Sequence, residues 1–73
     1  MVLDIVRAGY YLGRGNLLLL SNSDVDRYNA TVLLEKGTRY LERLYGRHPT
    51  AILNYMLKDT RSKITSTRTK LGH

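Results

Sequence analysis

The chain contains no cysteine, which excludes both a disulfide framework and a thiolate metal site. Trp and Phe are also missing, so six Tyr provide all of its aromatic surface. The two His, His48 and His73, stand far apart, and the acids do not gather at metal-ligand spacings. Asp24 and Asp26 point to different sides of a helix, and Glu35 has Arg39 four residues on, the spacing of a surface pair. Gly13-Arg14-Gly15 is too short to cradle a phosphate. The sequence therefore predicts no enzyme, no cofactor and no metal site. The longest apolar run, Leu17–Leu20, is far below the roughly 18–20 residues of a membrane span. Asp4 and Arg7 interrupt the first apolar stretch, which argues against a secretory signal. An intracellular setting is expected, whether cytoplasm, nucleoid or organelle interior.

What is present is positive charge. Twelve Lys and Arg stand against six Asp and Glu, a net +6 with a pI near 10.0. Such a balance favours polyanionic partners, nucleic acid first among them. The charge is uneven: residues 58–73 carry Lys58, Arg61, Lys63, Arg68 and Lys70 against Asp59 alone. At 73 residues the chain makes one small domain. A domain of this size buries only about 60% of its unfolded surface, so a homodimer or docking within a larger complex is expected.

The spacing predicts an amphipathic helix over residues 2–12, with Val2, Ile5, Val6 and Tyr10 on one face and Gly13-Arg14-Gly15 as its stop. Leu17–Leu20 fits either a buried strand or a buried helical turn; Leu is a strong helix former, which favours a helix or an extended docking segment. Ser21 and Ser23 each precede an acid by three residues, a helix-start pattern. From Val25 onward the composition is helical. Gly37 either ends that helix, with Thr38 as the next N-cap, or lies inside a helix running from about 23 to 45; Glu35-Lys36-Gly37-Thr38 favours the break. Gly46 suits a helix end, because a C′ residue with positive φ costs Gly nothing sterically. Pro49 suits the first turn of the next helix. Ile52, Tyr55 and Met56 repeat at helical spacing beyond it, with Ile52 expected to pack inward. Tyr28, Tyr45 and Tyr55 are expected in the core, and Tyr10-Tyr11 could dock a partner. Residues 60–73 are rich in Ser, Thr and basic residues, with too little apolar content to order alone.

This divides the chain into an N-terminal helix and docking segment (1–20), a helix-turn-helix-like core (21–59) and a flexible basic tail (60–73). The expected fold is an all-α bundle of three or four short helices. Asp26-Arg27-Tyr28, Leu33-Leu34-Glu35-Lys36-Gly37 and Leu44-Tyr45-Gly46-Arg47-His48-Pro49-Thr50-Ala51-Ile52 together resemble the helix-turn-helix DNA-binding heads of Tc1/mariner-like and related insertion-element transposases. The resemblance spans residues 24–59. It implies a recognition helix after Gly46 and a basic segment lying along DNA. Glu42 stands where those heads carry Ala, Arg47 where they carry an apolar residue, and no catalytic domain follows residue 59 in the sequence at hand.

A helix-turn-helix places its second helix in the major groove. On that reading Arg47, His48, Thr50, Ala51 and Asn54 would face bases, as Arg pairs with guanine and Asn with adenine. Lys58, Arg61, Lys63, Arg68 and Lys70 would meet phosphates. The expected function is a nucleic-acid-binding module, with duplex DNA favoured and RNA an alternative, acting as an adaptor or transcription regulator. The alternative is a structural subunit of a ribonucleoprotein, membrane or viral assembly, with Leu17–Leu20 buried in a neighbour.

Overall fold

The four glycines expected to mark helix ends or turns, at 13, 15, 37 and 46, all lie inside helices. In the computed structural model, described for residues 2–72, the chain forms three helices: α1 (Val2–Leu19), α2 (Asp24–Arg47) and α3 (Ala51–Lys70). No strand occurs among the described residues. The expected all-α bundle is what forms, with three helices that are longer than the sequence suggested.

Helices α1 and α2 are antiparallel and very close. Leu12 of α1 sits over Gly37, where an added Cβ would lie 2.8 Å from the Leu12 Cγ and Cδ2. Leu34 of α2 sits over Gly15 in the same way, also at 2.8 Å. Each Leu fills the hole left by the other helix's Gly. Ala8 and Ala30 extend the seam with further small, buried residues. The expected helix breaks at Gly13–Gly15 and at Gly37 are thus replaced by close packing. The roughly 1 kcal/mol that an interior Gly costs is offset by the contact that only Gly permits.

Helix α2 starts at Ser23, whose hydroxyl accepts the Asp26 N–H, so the expected capping there is observed. It does not stop at Gly46. It runs through Arg47, and His48 closes it with φ −138°, donating its N–H to the Leu44 carbonyl. The one positive φ among the described residues belongs to Gly72. Pro49, expected in the first turn of the next helix, lies before it; Thr50 caps α3, its hydroxyl accepting the Leu53 N–H at 3.2 Å.

Helix α3 runs back along α2, also antiparallel. Arg61 pairs with Glu42 at 3.8 Å, and Arg68 pairs with Glu35 nearly two turns further along. Residues 60–70, expected as a flexible tail, are therefore helical. Their order comes from Leu57, Thr60, Ile64 and Thr67, all buried, with half-buried Leu71 next in register. These five recur every three or four residues. Thr67 buries its methyl group while satisfying its hydroxyl within the helix, donating to the Lys63 carbonyl at 2.7 Å. Thr38 on α2 does the same to Leu34 at 2.8 Å. That internal bond removes the desolvation penalty of a buried hydroxyl.

The register of α3 differs by one residue from the expected one. Leu53 and Met56 pack against the core, while Ile52 is 73% and Tyr55 69% exposed. Tyr28 is exposed as well, and of the three expected core tyrosines only Tyr45 packs against the core. Helices α1 and α3 meet through a polar link: Lys63 Nζ donates to Asn16 Oδ1 at 3.0 Å and pairs with Asp59 at 3.1 Å. Asn16 is itself held by donating its amide to the Leu12 carbonyl at 2.8 Å. Toward the other end α1 and α3 diverge and leave an apolar groove of about 460 Å³ above α2, lined by Ile5, Leu12, Leu41, Leu44, Leu53 and Met56.

Candidate nucleic-acid interface

The expected DNA-reading residues do not converge. Arg47, His48, Thr50 and Ala51 are exposed at the α2–α3 turn, but the Thr50 hydroxyl is committed to the helix cap. Asn54 is half-buried. Lys58 is exposed one turn further on. Lys70 lies 19 residues from Ala51 on the same helix, about 28 Å at the helical rise. Arg61, Lys63 and Arg68 are all drawn into ion pairs with Glu42, Asp59 and Glu35. The geometry around them also departs from a helix-turn-helix. One helix, Asp24–Arg47, occupies the span of the first two helices of the resembled head, and α3 lies along α2 instead of crossing it at the steep angle of that motif.

The structure assembles a different set of cations. Arg7 and Arg14 of α1 and Lys36, Arg39 and Arg43 of α2 are all exposed. Arg7, Arg14, Lys36 and Arg43 surround Tyr10, Tyr11 and Tyr40 on the side of the α1–α2 pair away from α3, and Arg39 stands on the rim between that side and α3. The Tyr11 and Tyr40 rings stack across the two helices, with centroids 5.8 Å apart and planes 8° from parallel. Tyr10 meets Tyr11 edge-on at 5.4 Å. Cations then cover the rings. Arg7 and Arg43 lie over Tyr40 at 5.9 and 5.3 Å, Lys36 over Tyr11 at 5.8 Å and Arg14 over Tyr10 at 5.7 Å. All four are within the roughly 6 Å reach of a cation–π contact. A depression of about 250 Å³ opens among Tyr11, Lys36, Arg39, Tyr40 and Arg43.

The acids of α2 complete the separation of charge. Glu35 and Glu42 lean toward α3, held there by Arg68 and Arg61. On the tyrosine side the nearby acid is Asp4, at the edge and 4.0 Å from Arg43. The bundle therefore neutralises one flank and concentrates Arg7, Arg14, Lys36 and Arg43 on the other, with Arg39 on the rim between them. Stacked rings hold the guanidinium planes in place while their N–H edges remain available to an anion. The faces of Tyr11 and Tyr40 are already occupied by each other and by cations, so this surface suits phosphate groups better than stacked bases.

This interface has a pattern in the sequence. Arg7, Tyr11 and Arg14 share the spacing i, i+4, i+7 with Lys36, Tyr40 and Arg43. Each triad is one stripe on an unbroken helix. Expected breaks at Gly13–Gly15 and Gly37 cut both stripes and hid them. No group of His, Cys, Asp and Glu suitable for a metal ion occurs among the described residues. No helix among them is long and apolar enough to cross a membrane.

No protein family, curated protein or solved structure matches the chain. Its class is defined by its own architecture: a small all-α protein, a three-helix bundle with one cation-and-tyrosine flank.

Proposed function

We propose that the chain is a small nucleic-acid-binding module that grips the phosphate backbone, with duplex DNA as its favoured partner, through Arg7, Arg14, Lys36, Arg39 and Arg43. The observation that carries this reading is the cluster of these cations around the stacked tyrosines, with Glu35 and Glu42 held toward α3 by Arg68 and Arg61. Arg7 and Arg14, like Lys36 and Arg43, are seven residues apart, about 10.5 Å along each helix. Two such rows can engage phosphates along the backbone without reading bases. That assigns the module a positioning or adaptor role more than a sequence-selective one.

The test is a titration of labelled duplex and single-stranded DNA at several salt concentrations. Each full phosphate contact adds about 0.9 to the slope of log K against log salt for duplex DNA. The Arg7→Ala/Arg39→Ala double variant should therefore flatten the slope by about 1.8 and weaken binding to all duplexes alike. A Lys63→Ala/Arg68→Ala variant, affecting side chains already paired with acids, should change it less. Equal slopes for wild type and Arg7→Ala/Arg39→Ala, or no binding at low salt, would refute the proposal.

A second reading, that the chain works only as a subunit of an assembly, is favoured by one feature. The outward side of α1 carries Val2, Leu3, Val6, Tyr10 and Leu17, all more than half exposed. A helix apolar on both its inward and outward sides is normally buried.

A further inference from the structure

We infer that the outward face of α1 is covered by α1 of a second copy, packed antiparallel about a two-fold axis. The face is built from rows at seven-residue spacing: Leu3, Tyr10 and Leu17 in one, Val6, Gly13 and Leu20 in the next, Val2 and Gly9 beside them. None carries a charge, and every member is exposed. Contiguous exposed apolar surface of this extent marks an interaction site. Burying a Val or Leu side chain removes on the order of 100 Å² from water. The six large residues at half to four-fifths exposure thus offer about 400–500 Å² per copy. Two copies together approach the roughly 1,000 Å² that a specific interface needs.

The distribution of size along the helix identifies the occupant. Large residues stand at both ends, Val2 and Val6 at one and Leu17 and Leu20 at the other. Gly9 and Gly13 stand between them, flanked by Tyr10, with nothing within 4 Å of where a Cβ would lie at either glycine. An antiparallel copy in which Gly9 faces Gly13 of its partner also sets Val2 against Leu20. The Val2, Gly9, Gly13 and Leu20 stripe is self-complementary in that register, as a two-fold interface requires.

The pairing does not rest on the nucleic-acid reading, but it has a consequence for it. A two-fold axis relating antiparallel helices runs perpendicular to them and keeps each flank on its own side. The Arg7 and Arg14 flanks of both copies therefore fall on the same side and form one continuous cationic surface. Repulsion across that surface weakens the dimer at low salt, and screening by added salt should strengthen it.

Sedimentation of the purified full chain over a range of concentrations, without nucleic acid, tests the pairing. Wild type should dimerise, more tightly as salt is raised. Val6→Glu and Gly13→Glu should lose the dimer while keeping their helical circular dichroism, because both positions are exposed. Register is read with single-cysteine variants, the native chain having no thiol of its own. A mixture of Gly9→Cys and Gly13→Cys should cross-link faster than either alone. A wild-type chain that stays monomeric overturns the inference, as does faster cross-linking of each variant with itself. So does a monomer that binds vesicles of anionic phospholipid and loses that binding on Val6→Glu, which would assign the face to lipid. DNA binding by a chain that never dimerises would leave the proposed function standing while removing this one.

Discussion

Replacing Gly15 by Ala sets two effects of known size against each other. Ala is the better helix former by about 1 kcal/mol, so propensity alone predicts a gain. The structure opposes it. A Cβ at Gly15 would lie 2.8 Å from both Cγ and Cδ2 of Leu34 and 3.3 Å from the Ala30 carbonyl oxygen. Leu34 is 0% exposed and cannot turn into solvent, and the carbonyl belongs to the backbone of α2. Relief therefore requires the two helices to separate, and overpacking of this kind costs about 1–3 kcal/mol. The net expectation is a loss of about 1 kcal/mol. For a domain of this size that lowers Tm by about 4–8 °C. The control is Gly46→Ala, also within a helix but with nothing within 4 Å of its Cβ. There propensity acts alone and Tm should hold or rise. Thermal melts followed by circular dichroism, at one protein concentration so that self-association is matched, compare the two. A rise in Tm for Gly15→Ala equal to that for Gly46→Ala would show that α1 and α2 are not in contact at this point.

Gly37→Ala should behave like Gly15→Ala, because its Cβ would meet Leu12 Cγ and Cδ2 at 2.8 Å; a higher Tm would contradict the reciprocal seating of Leu12 and Leu34. Ile52→Asp should change stability by no more than about 0.5 kcal/mol, since Ile52 is exposed, whereas Leu34→Ala should cost about 2–5 kcal/mol; urea melts giving the reverse order would place α3 in the wrong register. A double-mutant cycle on Asn16→Ala and Lys63→Ala should yield a coupling of about 0.5 kcal/mol, the low end for a net hydrogen-bond contribution at a partly exposed site, and zero coupling would remove the polar link between α1 and α3. Thr50→Ala should cost about 1 kcal/mol through loss of the α3 cap, read as a lower denaturation midpoint.

Several features of this protein are local and were legible in the residues themselves. Helical content follows from the many Leu and from apolar residues recurring every three or four positions, and the Ser23 cap from its spacing to Asp26. A turn was legible at Gly46–Pro49 from Gly46 and Pro49, and it falls two residues later, at 48–50. The excess of positive charge follows from counting. The glycines misled because their meaning depends on what lies opposite. Gly in a sequence reads as a stop when nothing crosses it, and Gly15 and Gly37 are instead holes that another helix's Leu occupies. The order of residues 60–70 was hidden for a related reason. Thr60 and Thr67 count as polar in composition, yet they are buried against α2, where Thr67 bonds its hydroxyl back to its own helix.

The binding surface is where tertiary structure decided most. Each cation has a place in the sequence, but which cations remain available depends on where the acids go. Glu35 and Glu42 stand on α2 within a turn of Lys36, Arg39 and Arg43, and composition alone pairs them locally. Folding brings Arg61 and Arg68 alongside to hold the acids toward α3. The same packing stacks Tyr11 on Tyr40, 29 residues away in the chain. The sequence determined that this protein is helical and basic. The antiparallel placement of α1 and α3 on either flank of α2 decided where that charge is concentrated, because ion pairing is settled by proximity in space and not along the chain.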